Sequence, residues 1–210
     1  MKKWFLNLAA TAAMALVALS NASAKDKTIL FLSEDVPPSL NYDGPNASSP
    51  PTQMGIVNLM EPLVYYATKE VNSEGAVILD VNKFEGRLAE SWSHDKANNK
   101  WTFKLRKGVK GCNGATFDAD DVIYTFQRAK TVSGKAPVGW FLSNVASIAG
   151  FTPAVFGKEA KNIEAKKLKD SEVRKIDQYT VEFTQSGPNK LFLPVLTIFA
   201  LYIYDKELME

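Results

Sequence analysis

The residue types that carry most protein chemistry are scarce in this chain and stand apart. One His and one Cys occur in 210 residues, His94 and Cys112. A Ser-His-Asp relay needs an imidazole held rigidly beside its nucleophile, and His94 falls in a polar run, Ser93 to Lys100, that reads as a turn between two strands. Zinc sites draw three or four ligands from His, Cys and carboxylates, and neither residue has a second of its kind to join it. Cys112 has no partner for an intramolecular disulfide and reads as a buried or idle thiol. The expectation is a protein with no catalytic residue, no metal and no cofactor.

The elements that would position any site are clearest between Leu88 and Phe126. Trp101, Phe103 and Leu105 alternate with Thr102, Lys104 and Arg106, which predicts a strand with one apolar and one wet face. Gly108 and the Asn113-Gly114 pair mark bends. Asp118 is placed to cap a helix, with Asp121 three residues on and acidic charge in the first turn, where the macrodipole favours it. Val122, Ile123 and Phe126 give that helix its buried stripe. Trp92 and Trp101 are assigned to the core.

This order of segments resembles the extracellular solute-binding proteins of ABC importers, in the peptide/nickel class known as family five. The matching residues are Leu88-Ala89-Glu90-Ser91-Trp92, Thr102 to Val109, Asn113-Gly114 and Ala119-Asp120-Asp121-Val122. Gly111-Cys112-Asn113 departs from the family pattern, which has an aromatic, a His and an Asp there. The resemblance implies an α/β fold of the periplasmic-binding-protein type II. The chain would supply a first lobe of mixed β-sheet and flanking helices, with the second lobe absent. It also implies a role in capturing di- or oligopeptides in an interlobe cleft and delivering them to an inner-membrane permease. Nickel chelates or another small organic solute are the alternative ligands, and a secreted hydrolase is the remote one.

The N-terminus agrees independently. Lys2 and Lys3 precede an apolar run from Leu8 to Leu19, and Ala22-Ser23-Ala24 is a small-residue cleavage signal. The run is too short for a membrane span, so residues 1–24 read as a signal peptide cut after Ala24, leaving 25–210 as the lobe in a periplasm. The chain holds 25 basic and 23 acidic residues. Losing Lys2 and Lys3 with the leader brings the two into balance, which argues against nucleic acid or an anionic membrane as partner. Lysines between Lys158 and Lys169 alternate with acids and alanines and read as a solvated face. A monomer is expected.

Further elements follow the apolar pattern. Thr28 to Leu32 predicts a buried strand, Asp35 to Pro51 a loop, and Thr52 to Tyr66 a helix with Ile56, Leu59, Met60 and Leu63 inward and Pro62 kinking or ending it. Ala76 to Leu79 predicts a strand, Pro137 to Ile148 a helix, and Glu172 to Thr184 two strands around Asp177-Gln178. Leu191 to Tyr204 reads as a buried helix and strand that the chain, ending soon after, leaves without cover, as expected of a fragment.

Ligand contacts are expected from two places. Asp35, Val36 and Ser39 lie in a loop resembling the family's peptide-pairing loop, which would bind an extended peptide by strand addition, with Tyr42 nearby. Trp140, with Phe141 beside it, aligns with a family position that places an aromatic against the ligand. Aromatic walls give large contact area at small entropic cost. The competing roles are a plain surface connection for the loop and core packing for Trp140.

Overall fold

A computed structural model of the chain describes residues 50–131, 142, 145–151 and 167–210. The alternating segment forms the centre of an antiparallel sheet. Its strands are β3 (Ala89–Asp95), β4 (Lys100–Leu105), β5 (Val173–Asp177) and β6 (Thr180–Thr184), in the order β3-β4-β6-β5. Trp101 pairs with Phe183 and Phe103 with Val181, so the apolar sets of β4 and β6 share one face. On the other face Glu182 accepts from Lys100 Nζ and Arg174 Nε, each at 2.9 Å.

Aromatic rings fill the inner face. Phe103 meets Phe183 edge-on at 5.5 Å between centroids, and Phe126 meets Phe183 at 4.8 Å. Phe126 arrives on the helix α2 (Ala119–Thr131), together with buried Val122 and Ala129. The α2 cap forms as its sequence predicts. Asp118 N donates to Asp121 Oδ2 at 2.9 Å, while Asp118 Oδ1 accepts from Asp120 N at 2.7 Å. These bonds satisfy amides that the first turn would otherwise leave bare.

Ahead of the sheet stand α1 (Pro50–Leu59) and a hairpin of β1 (Val64–Val71) and β2 (Val77–Gly86). The helix expected to reach Tyr66 therefore stops at Leu59, and Tyr65 and Tyr66 are in a strand. Pro62 offers no N–H and disfavours helical geometry at the residue before it, which ends α1 early. Ile56 and Leu63 are buried as expected, but Leu59 is 68% exposed at the terminal turn. The strand predicted at Ala76 to Leu79 falls, from Val77 on, in the first part of β2. The hairpin passes into β3 through a close turn, where a Cβ at Gly86 would stand 2.1 Å from the Ala89 carbonyl oxygen.

Other expectations are corrected. His94 lies in β3, not in the turn, because β3 and β4 stay paired out to Asp95 and Lys100. Most of the helix expected from Pro137 to Ile148 lies outside the described residues, and its last two positions are not helical: Ser147 has φ 55° and Ile148 bridges Gln185. Cys112 is exposed rather than buried. Most of the apolar run Leu191 to Tyr204 is covered, although Leu191 itself is exposed. The run forms α3 (Phe192–Leu196), a 3-10 turn (Phe199–Leu201) and an extended stretch, with Phe192 ringed by Trp101, Phe103 and Phe183. The stretch makes no strand ladder; it is tied by Ile203 N donating to Glu61 O at 3.0 Å. Every strand pairing among the described residues is antiparallel. No helix among them is long and apolar enough to cross a membrane. Thr28 to Leu32 lies outside the described residues, as do residues 1–24.

Candidate functional site

All six residues expected to touch ligand, Asp35, Val36, Ser39, Tyr42, Trp140 and Phe141, lie outside the described residues. What the described residues do form is a half-open cleft of about 650 Å³ between the end of α1, the turn leading into α2, and residues 203–209. The turn is built by local rules. Lys110 and Thr116 bridge across it, and Lys110 Nζ donates to Thr116 Oγ1. Asn113 Oδ1 accepts from Ala115 N at 2.9 Å, and Gly114 takes φ +85°, which only glycine adopts without strain. Cys112 sits at its tip and lines the cleft.

The departure at Gly111 has a structural counterpart. A Cβ there would stand 2.0 Å from Asp205 Oδ2, so the bare glycine leaves room for the Asp205 side chain. Asp205 caps α4 (Lys206–Met209) by accepting from Leu208 N at 3.0 Å. Oxygens of Asp121, Asp205 and Glu207 lie within 4.8 Å of one another. Asp121 is held at both ends by backbone donors: Asp118 N on Oδ2 and Lys206 N, 2.8 Å from Oδ1. Burial pushes the Asp121 carboxyl above the usual range, with further push from Glu207 and Asp118, against the pull of those two amides. With two of the three acids engaged in caps, the cluster is explained as a fold junction. Sequence reasoning saw Asp121 only as a cap residue, because its partner Lys206 is 85 positions away.

His94, weighed for a Ser-His-Asp relay, packs against an indole. The His94 ring stacks on Trp101 at 4.1 Å and 7°, and its Nε2 has no hydrogen-bond partner among the described residues. Neighbouring Asp95 is held below the usual carboxylate range, first by the Asn98 amide side chain and then by the Asn98 and Ala97 amides of its own turn. It orients the turn, not the imidazole. Trp92 stacks on Phe103 at 6.3 Å, and Trp101 Nε1 donates to Gln185 Oε1 at 2.9 Å. Both indoles pack on the core, as assigned.

The profile of the bacterial extracellular solute-binding proteins, family 5 (middle region), matches residues 83–209. The chain belongs to this family. The chain resembles the periplasmic oligopeptide-binding protein OppA of Escherichia coli, with 32% identity over 124 residues that cover 59% of this chain and 21% of that one. It also resembles the periplasmic alpha-galactoside-binding protein of Rhizobium meliloti, at 33% over 97 residues, covering 46% and 11%. Among solved structures, the Escherichia coli murein tripeptide binding protein MppA superposes with a TM-score of 0.60 at 25% identity, covering 83% of this chain and 30% of that one. The fold of this family-5 member is therefore the α/β architecture of periplasmic binding proteins. The chain spans less than a third of the length of these relatives. The family is one of binding proteins.

Proposed function

We propose that this chain is part of the substrate-binding component of an ABC importer and serves the capture of di- or oligopeptides for an inner-membrane permease. The family match over residues 83–209 carries the reading, and the oligopeptide-binding relative supports the ligand class. Residues 1–24 act as a cleaved signal peptide, and 25–210 work in the periplasm as a monomeric first lobe. Asp35, Val36, Ser39 and Tyr42 pair with the peptide backbone and its flank, and Trp140 and Phe141 supply the aromatic wall. Ligand closes two lobes by touching both. No reaction is performed.

The alpha-galactoside-binding relative favours a second reading, a receptor for a small organic solute, with nickel chelates in the same class. The test is thermal unfolding of the chain with pooled peptides, galactosides or nickel chelates. A ligand that binds only the folded state stabilises it by about 2.7 kcal/mol at a hundredfold excess over Kd. Peptides are expected to raise Tm, and Trp140→Ala to cut the rise. A rise with galactosides or nickel chelates alone would move the assignment to the second reading. Ester or peptide-bond turnover lost in His94→Ala would make the protein a hydrolase instead.

A further inference from the structure

Among the described residues the central sheet has two edges, and they are not alike. β3 is outermost on one side and β5 on the other. β5 is five residues long and carries Lys175, with a register irregularity between Lys175 and Asp177. Short length, a lysine and a bulge are devices by which an edge resists pairing with another chain. β3 has its irregularity only at its start, between Ala89 and Ser91, and runs regularly from Ser91 to Asp95. It holds neither Lys nor Pro.

Bonds to the neighbouring strands fix which backbone groups β3 leaves open. Leu105 N donates to Tyr179 O and Gln185 N to Asn99 O, each at 2.8 Å, so the odd-numbered residues of β4 turn their backbone towards β6. Arg106 N donates to Leu88 O at 2.8 Å, on the β3 side. Lys100, Thr102 and Lys104 therefore face β3 and bond their register partners Asp95, Ser93 and Ser91. The N–H and C=O groups of Trp92 and His94 are left pointing out of the sheet. Around them Glu90, Ser91, Ser93, Asp95 and Lys96 are exposed. Neither Glu90 nor Lys96 has an ion-pair partner among the described residues.

We propose that the outer edge of β3 is a self-docking surface, on which a second copy of this chain adds its own β3, antiparallel and centred on Ser93. In that register the two copies exchange N–H···O bonds between Trp92 and His94, the residues whose backbone is open. The side chains complement themselves about the same axis. Ser91 stands opposite Asp95, Glu90 opposite Lys96, and the half-buried rings of Trp92 and His94 meet on the inner face. Moving the axis onto Trp92 or His94 sets Lys96 against Leu88 or Trp92 and loses both ion pairs. An interface of one strand pair is small and gives weak association, so the monomer remains the form at low concentration. The inference is independent of which solute the protein binds.

Sedimentation velocity of the full chain, followed up to about 1 mM, tests it. A reversible passage from one copy to two is expected. Glu90→Lys or Lys96→Glu alone should weaken the pairing by about tenfold, because both symmetry-related ion pairs turn from attraction to repulsion. Mixed together, the two single variants should pair again, and so should the double variant Glu90→Lys/Lys96→Glu. Both side chains are exposed, so these changes leave the core untouched. His94→Pro removes an outward N–H that β4 does not use and should abolish pairing; if that variant does not fold, the charge variants decide alone. A monomer throughout the range, single variants that pair as the parent does, or a mixture that pairs no better than its parts would overturn the proposal.

Discussion

Lys130 and Glu172 form a buried ion pair, with side chains only 3% and 5% exposed. Lys130 Nζ also donates to Lys167 O at 2.9 Å and stands 5.2 Å from the centre of the Phe151 ring. The paired oxygen of Glu172 accepts in addition from Lys169 N at 3.2 Å. Replacing Lys130 by Met keeps the bulk and removes the charge, leaving a carboxylate out of water with one amide donor. Breaking one side of such a pair costs about 3–5 kcal/mol, whereas an exposed pair is worth about 0–1 kcal/mol. Urea unfolding followed by tryptophan fluorescence would measure the loss as a lower midpoint at unchanged slope. The double variant Lys130→Met/Glu172→Leu removes both charges and should lie nearer the wild type than Lys130→Met alone. A loss below about 1 kcal/mol in Lys130→Met, or a double variant as poor as the sum of the singles, would refute the claim that burial sets the cost.

Two further outcomes follow from the sheet. Phe103→Ala should cost about 3–5 kcal/mol in the same urea assay, since Phe103 is fully buried against Phe183, Phe192 and Trp92. Glu182 gives a pH dependence. Burial alone would raise its carboxyl, but the hydrogen bonds from Lys100 and Arg174 outweigh that and hold it below the ordinary value of 4.5. A depressed folded value means the unfolded chain binds more protons, so stability from Glu182 is present above that value and fades as pH drops through the lower one. Glu182→Gln should flatten this acid limb of a denaturation-versus-pH series, and an unaltered limb would contradict the bonding.

Local signals predicted local structure well. The alternation around Phe103, the Asp118 cap, Gly114 and the strand pair around Asp177 all formed, because each depends on neighbours within a few residues. Errors arose where distant contacts decide. Leu191 to Tyr204 was expected to lie bare, and only packing on Trp101 and Phe183 reveals its cover. Pro62 was recognised as a helix breaker, but apolar Leu63 carried the helical reading across it, although period alone cannot separate a short helix from a strand. The junction of Asp121 with Lys206 had no sequence signal at all, since neither residue is unusual in its own segment.

The described scaffold also bears on the segment after Trp140 and Phe141, the residues proposed to face the ligand. The segment after Phe141 is gripped from the sheet side. Gln185 Nε2 donates to Ala146 O at 2.9 Å while its Oε1 holds Trp101 Nε1. Asn189 Nδ2 donates to Val145 O at 2.6 Å and to Ser147 Oγ at 2.8 Å. Leu142, one residue past Phe141, is fully buried, as are Ala146 and Ile148. The Trp101 indole, packed on the core and bonded to Gln185, thus links the central strand to Ala146. The aromatic rings of the inner face, Trp101, Phe103, Phe183 and Phe192, reach through Gln185 to the described residues that follow Phe141.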